Sequence, residues 1–194
     1  LLIAESPTGE VNEERFLNYF QYMAWQGLFM AQSARRASAR WGEEGGVTSE
    51  ATPMAAISGL EVERLQGLVA KVNTLLASDS QLVVSLQNTR TRNVVSGPPR
   101  SLMALQELLQ SRGKKESALK KEGRFAGTPL QASWEYLGVS APFHSPHMQG
   151  GFDDLKEALE QIGFQASSGD LVLPVLSPVD GTLLNEVEDL REAI

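Results

Sequence analysis

The chain of 194 residues contains no cysteine. This absence excludes a disulfide framework, thiolate zinc sites and a cysteine nucleophile, and it is compatible with a reducing compartment without proving one. No apolar run approaches the ~18 residues that a membrane-spanning helix needs, and the first ten residues lack the basic start of a signal peptide. Positive charge is also scarce, because the formal net charge is −7. An acidic surface repels phosphates, so we expect neither nucleic acid nor membrane as a partner.

What is present is an ordinary globular composition, with 42 % hydrophobic and 21 % charged residues. Apolar residues recur at three- and four-residue steps over residues 10–41 and predict a long helix. Glutamates at its start and arginines at its end follow the charge order that a helix dipole favours. The glycines of the next segment, WGEEGGVTSE, predict an exposed connector.

Residues 52–139 predict six elements in the order strand, helix, strand, strand, helix, strand. This order is the split βαβ, ferredoxin-like arrangement. The last helix is predicted to begin at Ser101 as its N-cap. The strands are predicted at 52–60, 81–88, 91–97 and 132–139, and the helices at 61–76 and 101–110. Further elements are predicted as a helix at 150–164, a strand at 170–181 and a helix at 186–194.

Both histidines of the chain lie in one short segment, VSAPFHSPHM, as His144 and His147. They form a weak metal set, because a site needs about three protein ligands and the nearby carboxylates are only Asp153 and Asp154. They could be loop histidines with no chemistry, or one could be a general base, since imidazole is the usual base near neutral pH. A base needs a nucleophile, and no G-x-S-x-G motif occurs in the chain. Composition and spacing leave these alternatives open.

Five segments, in order along the chain, resemble those of one family, the malonyl/acetyl transferases that act on acyl carrier protein. They are similar to its R-G-x-x-M-Q helix segment, the first strand of its small subdomain, its Asn-containing turn, its catalytic His turn and its returning strand. The segments are WQGLFMAQ, TPMAAISGL, SLQNTRTRNVVSGPPRSL, APFHSPHM and LPVLSPVDG. VVSGPP followed by PFHS most resembles the acetyltransferase domain of type I fatty acid synthases, of the fungal β-chain or actinobacterial kind.

The resemblance implies an α/β fold, with a partial α/β-hydrolase-like acyltransferase core and an inserted ferredoxin-like α+β subdomain. Residues 1–50 would supply core helices, 51–140 the ferredoxin-like subdomain and 141–194 the returning segment of the core. The family's nucleophile lies in G-H-S-x-G, and LLIAE at the start of the chain resembles the stretch that follows it. We therefore expect the serine and the oxyanion hole to lie outside this chain.

The resemblance also implies an acyl-CoA:acyl-carrier-protein S-acyltransferase with His144 as its catalytic residue. An acetyl starter group would pass from CoA through a serine acyl-enzyme to acyl carrier protein in fatty acid synthesis. Acyl-CoA would be the substrate and phosphopantetheine of the carrier the acceptor, with no metal and no tightly bound cofactor. The expected partners are the carrier and the other domains of a fatty acid synthase multienzyme, in the cytoplasm. His147 lies outside the key position of the motif, and Ser145 is not the nucleophile.

Donor preference is where the chain departs from part of the family. Malonyl-selective members carry Arg just before the Gly of R-G-x-x-M-Q, where this chain has Gln26. A neutral amide does not offset a buried carboxylate, so we expect a neutral donor, acetyl-CoA first. Asn88, in the family's turn, is a second expected substrate-binding residue. A malonyl or longer-chain transferase of the same family, and a non-catalytic structural domain of a multienzyme synthase, remain alternatives.

The segment 111–124 carries six cations and two glutamates on an otherwise acidic chain. It is either a solvated loop or a surface for the phosphates of CoA or for an acidic carrier protein.

Overall fold

The computed structural model describes residues 13–41, 51–161, 174–177 and 181–184. The chain divides into two compact units, Met30–Gly151 as one and Leu1–Phe29 with Phe152–Ile194 as the other. Two short 3-10 helices lie at Ser78–Ser80 and Pro146–Met148. The longer elements are α1 (Glu13–Trp41), β1 (Met54–Ser58), α2 (Val62–Asn73), β2 (Val83–Thr89), β3 (Arg92–Ser96), α3 (Pro99–Lys121), β4 (Ser133–Tyr136) and α4 (Gln149–Gln161).

Four strands form one sheet in the unit Met30–Gly151, in the order β2-β3-β1-β4. Every neighbouring pair in this sheet is antiparallel, and β1 pairs with β3 from Met54↔Ser96 to Ser58↔Arg92. The strands β2 and β3 form a hairpin whose register shifts twice, so that β2 carries two irregularities. The predicted order of strand, helix, strand, strand, helix, strand is therefore the order found over this part of the chain.

The core of this unit lies on one face of the sheet. Because side chains alternate along a strand, Ala55 and Ile57 of β1 share a face with Val95 of β3. These residues cluster with the apolar stripes of α2 and α3, and the stripes explain why the two segments form amphipathic helices there. The buried cluster comprises Ala55, Ile57, Leu60, Leu65, Leu68, Val69, Val72, Leu82, Val95, Leu102, Leu105, Leu109 and Leu130. Met54 and Ser96, which pair with each other, lie on the opposite face.

Two helices depart from their predicted bounds or burial. The helix α3 was expected over 101–110 but runs from Pro99 to Lys121, because the basic segment is itself rich in good helix formers. Ser101 is not its N-cap, since Pro98 holds that position. In α1 the predicted apolar face is buried at Ala34, whereas several of its earlier apolar residues, including Phe20 and Met23, are exposed.

In the unit Leu1–Phe29 with Phe152–Ile194, an antiparallel bridge pairs Leu176 with Leu183. Leu176 lies within the strand predicted at 170–181, and Leu183 lies two residues beyond its end. The predicted helix at 186–194, the connector 42–50 and the segment LLIAE lie outside the described residues. Within the part of the chain that the structure describes, no helix is long and apolar enough to cross a membrane.

Candidate functional site

The segment Ala141–Met148, called here the His turn, follows β4 and presents His144 to solvent. Its entry is joined to the sheet by the Leu137 N–H, which donates to the Met54 carbonyl at 3.0 Å. His144 is exposed and has φ +54°, the one positive φ of a non-glycine residue in the described ranges. The left-handed region is uncommon for residues other than glycine, and contacts on both sides of His144 hold it there.

Hydrogen bonds hold the His turn immediately before and after His144. The hydroxyl of Ser96, which is fully buried, donates to the Phe143 carbonyl at 3.1 Å. The Ser145 hydroxyl donates to the Pro142 carbonyl, and the Met148 N–H donates to the Ser145 carbonyl at 3.0 Å. The backbone on both sides of the exposed imidazole is therefore fixed.

Apolar packing holds the same turn from within. Met148 is 1 % exposed and Ala141 is 3 % exposed, and both cluster with Ala34 of α1. Met30, one helical turn earlier on α1, packs against this cluster. Anchored apolar residues at the two ends of the His turn leave the His144 side chain at the surface between them.

His147 has a different environment from His144. Its Nε2 lies 2.9 Å from the carbonyl oxygen of Gln81. A carbonyl can only accept, so Nε2 must carry a hydrogen and donate it. The imidazole also meets Trp41 edge-on, with ring centroids 5.1 Å apart and planes at 88°. His147 is therefore committed to contacts within the fold.

The serines near His144 are already engaged. The Ser96 hydroxyl lies 2.8 Å from the Ser85 hydroxyl in addition to its bond to Phe143. The Ser145 hydroxyl is directed at the carbonyl of Pro142. Neither hydroxyl is presented to the His144 imidazole, so the described residues of the turn offer a base without a serine nucleophile.

The sheet register does not bring Asn88 to His144. Val83, at the start of β2, pairs with Ser96, whose hydroxyl contacts the His turn. Asn88 is exposed and lies five residues further along β2, at the second register shift beside the hairpin. At about 3.3 Å per residue this separates Asn88 from Val83 by roughly 15 Å. The expected contact between Asn88 and substrate stays a prediction. Asn88 lies at the end of β2 that is opposite to Val83 and the His turn.

Gln26 is half-buried in α1, within the unit Leu1–Phe29 with Phe152–Ile194, whereas His144 lies in the other unit. Near Gln26, the rings of Trp25 and Phe29 stack with centroids 5.4 Å apart and an interplanar angle of 15°. Gln26 as a substrate-binding residue stays a prediction.

Most of the basic segment, residues 111–121, forms the second half of α3 and not a loop. Glu116 accepts from Arg64 of α2 at 2.8 Å, from Arg112 at 3.2 Å and from the Leu130 N–H at 2.8 Å. Lys114 and Lys121 line an open groove of about 1070 Å³ between α3 and β4. The groove includes Ser58, at the end of β1 that lies away from Met54 and the His turn.

Sequence reasoning missed Ser96. Its signal is a serine that follows two valines at the end of β3, directly before Gly97, which has φ +154°. A buried hydroxyl in such a position must bond to something, and here it bonds to the turn that carries His144. No group of three or more carboxylate or imidazole side chains suited to a metal occurs among the residues placed by the structure.

Solved structures share this fold. Malonyl CoA-acyl carrier protein transacylase from Clostridium perfringens aligns with a TM-score of 0.60 and 20 % identity, covering 99 % of this chain and 46 % of that protein. FabD from Acinetobacter baumannii aligns with a TM-score of 0.56 and 21 % identity, covering 91 % and 44 %. The fold is thus the α/β fold of these transacylases over the parts that are covered.

Sequence comparison identifies the family. Residues 53–135 match the family model described as the fatty acid synthase central AT domain. Fatty acid synthase subunit beta of Saccharomyces cerevisiae is 33 % identical over 132 residues, which are 68 % of this chain and 6 % of that protein. Malonyl CoA-acyl carrier protein transacylase of Bacillus subtilis is 29 % identical over 139 residues, 72 % of this chain and 28 % of that protein. The chain belongs to the acyl-carrier-protein acyltransferase family and is related to the acyltransferase of fatty acid synthases, which confirms the resemblance.

Proposed function

We propose that this chain supplies the catalytic histidine of an acyl-CoA:acyl-carrier-protein S-acyltransferase in fatty acid synthesis. One observation carries the proposal: His144 is exposed on a left-handed backbone that a buried serine hydroxyl and a packed methionine hold in place. Such strain costs on the order of 1–3 kcal/mol and persists mainly where a function uses the geometry. Membership of the acyltransferase family supports reading that function as acyl transfer.

The reaction proceeds in two halves around the His144 imidazole. It takes the proton of a serine hydroxyl as the serine oxygen attacks the thioester carbonyl of acyl-CoA, and it returns that proton to the departing CoA sulfur. The thiol of the carrier's phosphopantetheine then gives its proton to His144 and attacks the acyl-serine ester. The serine oxygen leaves and recovers the proton, so no net proton or electron is required.

The serine lies outside this chain in the proposal. Its support is the lack of a G-x-S-x-G motif in the 194 residues and the engaged hydroxyls of Ser96 and Ser145 beside His144. Residues 51–140 would form a ferredoxin-like subdomain inserted into an α/β-hydrolase-like core, to which 1–50 and 141–194 contribute. The strand order β2-β3-β1-β4 with antiparallel pairing supports this assignment.

The proposed donor is acetyl-CoA, because Gln26 offers no positive charge to a malonyl carboxylate. The relatives include malonyl transacylases, so malonyl and longer acyl donors are the alternatives within the family. The proposed setting is a cytoplasmic fatty acid synthase multienzyme with acyl carrier protein as acceptor. The groove between α3 and β4 carries Lys114 and Lys121, whose charge suits an acidic carrier.

The test is acyl labelling of the full-length protein that contains this chain. Radiolabelled acetyl-CoA should leave protein-bound label that holo acyl carrier protein removes, and malonyl-CoA should leave less. His144→Ala should slow labelling by about 10²- to 10⁴-fold, the usual contribution of a general base. Ser140→Ala, at an exposed serine just before the His turn, is the matched control and should retain most of the rate.

Three results would redirect the proposal. Equal labelling by malonyl-CoA would contradict the donor assignment and keep the transferase. Normal labelling in His144→Ala would remove His144 from the chemistry. No label from either donor in the wild-type protein would favour the remaining alternative, a non-catalytic structural domain.

A further inference from the structure

Residues 79–82, called here the carbonyl platform, connect the short helix Ser78–Ser80 to β2. Their four successive backbone carbonyls each accept a hydrogen bond from a side chain of a different segment. Trp41 donates to Asp79 at 3.2 Å and Ser101 to Ser80 at 2.7 Å. His147 donates to Gln81 at 2.9 Å, and Asn73 donates to Leu82 at 2.8 Å.

The carbonyl platform is fixed independently of His147. Asn73 both donates to the Leu82 carbonyl and accepts from the Leu82 N–H, each at 2.8 Å. Ser101 is buried at the start of α3, so its hydroxyl has no competing water. Trp41, Asn73 and Ser101 hold the platform from α1, α2 and α3. A group that bonds to this platform is therefore tied to three helices at once.

His147 connects the His turn to this platform. Only Ser145 and Pro146 separate it from His144, and the Met148 N–H closes this short helical turn on the Ser145 carbonyl. On the other side of His144, the Phe143 carbonyl is tied to Ser96. The turn that carries His144 is thus tied to β3 on one side, through Ser96, and to the carbonyl platform on the other, through His147. These two bonds add to the Ser145–Pro142 bond and the packing of Met148, and together they keep His144 at φ +54°.

We propose that His147 is a positioning residue that holds the His144 imidazole in its working direction by bonding the His turn to the carbonyl platform. The inference rests on the function proposed above, in which His144 transfers the proton. His147 itself touches no substrate in this assignment, since its Nε2–H is given to Gln81 and its ring to Trp41.

Two variants separate the hydrogen bond from the ring. His147→Gln keeps a donor nitrogen separated from Cα by the same number of bonds, so it can still bond to the Gln81 carbonyl. His147→Phe keeps a ring beside Trp41 and removes the donor. Steady-state transfer from acetyl-CoA to acyl carrier protein is measured for both in the full-length protein. Hydrogen exchange of the single Met148 amide is followed in parallel.

The positioning role predicts a specific division of effects. His147→Phe should lower kcat by about 10- to 100-fold and leave the KM for acetyl-CoA within about 2-fold, because the base is displaced while substrate binding is not. Hydrogen exchange at the Met148 amide should rise at least 10-fold in the same variant. His147→Gln should restore most of the kcat and of the protection.

Other outcomes overturn the proposal. A His147→Phe variant with normal kcat, or with normal exchange at Met148, shows that the bond to Gln81 does not position His144. A loss of kcat that His147→Gln fails to restore assigns the effect to the ring and not to the bond. A wild-type protein that transfers no acyl group removes the proposed function and the positioning role together. Failure of the proposed function can be told apart from failure of the positioning bond, because the exchange experiment still reports whether the His147–Gln81 bond holds the turn.

Discussion

Gln26 is half-buried in the middle of α1, next to the stacked rings of Trp25 and Phe29. If this position contacts the acyl group, Gln26→Arg should introduce a fork that binds a malonyl carboxylate with two hydrogen bonds. The ratio of malonyl to acetyl labelling should then rise by about 10-fold or more, since a charged hydrogen bond contributes about 1.5–3 kcal/mol. Competition between the two labelled donors measures this ratio.

The control is Gln21→Arg, which places the same charge on an exposed position of the same helix. An equal change of donor ratio in both variants would point to a general effect of charge and would remove Gln26 from the site.

At the scale of single residues, the sequence singled out His144 as a candidate catalytic residue but did not indicate what holds it. The structure places it, exposed, in a turn after β4. The hydrogen-bond partners of the turn are distant in sequence. Ser96, which bonds to Phe143, precedes it by 47 residues, and Gln81, which bonds to His147, precedes it by 66. Contacts between such distant residues depend on the tertiary packing of strands, helices and turns, which residue spacing along the sequence does not give.

The hairpin β2–β3 and the helix α3 are joined through Gly97, where the chain has φ +154°. A Cβ there would lie 2.7 Å from the Leu82 Cδ2 atom and 3.0 Å from the Gln81 carbonyl oxygen. Gly97→Ala should therefore destabilise this unit by about 1–3 kcal/mol, through backbone strain and displacement of the carbonyl platform. Hydrogen exchange of the β1 and β3 amides measures the loss.

Gly67→Ala is the matched control for Gly97→Ala, and we expect it to stabilise the same unit. Gly67 is exposed within α2, and a Cβ there would meet no atom within 4 Å. Alanine should stabilise α2 by about 0.5–1 kcal/mol, because it removes the flexibility of glycine from a helix. Equal losses in both variants would show that exchange responds to any change at glycine and not to the Gly97 geometry.

Element types followed from periodicity, whereas element ends did not. The apolar stripe of α3 stops being visible near residue 110, yet the helix continues to Lys121. Its second half is held by Glu116, which bonds to Arg64 on another helix and to the backbone of Leu130. Asn88 shows the same limit, because its distance from His144 follows from a strand pairing that spacing alone does not give.

Glu116 joins three parts of the unit Met30–Gly151, namely α2, α3 and the chain leading into β4. Burial raises the pKa of its carboxyl, but the Leu130 N–H and the guanidinium groups of Arg64 and Arg112 outweigh burial and bring that pKa below its ordinary value. A lowered pKa stabilises the fold above the unfolded pKa of about 4.3, and this contribution disappears as pH falls through the folded pKa.

Replacing this carboxylate should therefore have a pH-dependent effect. Glu116→Gln should lower the free energy of unfolding by about 1–2 kcal/mol at pH 7, a range reduced because both arginines are partly exposed. The difference from wild type should persist down to about pH 5 and shrink as the pH falls below the ordinary carboxyl pKa of about 4.3 and through the lowered pKa of the folded state. Urea unfolding of the chain, followed by tryptophan fluorescence at several pH values, measures it.

Glu122→Gln is the matched control, since Glu122 pairs with Arg124 at an exposed position just past the same helix. It should change stability by less than about 0.5 kcal/mol at every pH. A Glu116 effect that stays constant down to pH 3 would contradict the assigned pKa direction.

For the molecule as a whole, periodicity was sufficient to predict the order of six elements in residues 52–139, and the family resemblance implied the α/β class. The sequence did not predict that the basic segment continues α3 and carries Glu116, which bonds to α2 and to Leu130. A run of charged residues looks the same in a sequence whether its side chains are solvated or form ion pairs. The fold then follows from the solved transacylases, and the family follows from the match to fatty acid synthases, which five short segments had indicated.

The carbonyl platform has a consequence for how this protein can diverge. Its four bonds are accepted by main-chain oxygens, which every amino acid possesses. The side chains of Asp79, Ser80 and Gln81 can therefore be exchanged during evolution with little penalty, while the path of the chain there must stay the same. A survey of related sequences would find variable residue types at these positions and would overlook them. In the proposed positioning role, however, the direction of the His144 imidazole depends on the main chain at those same positions.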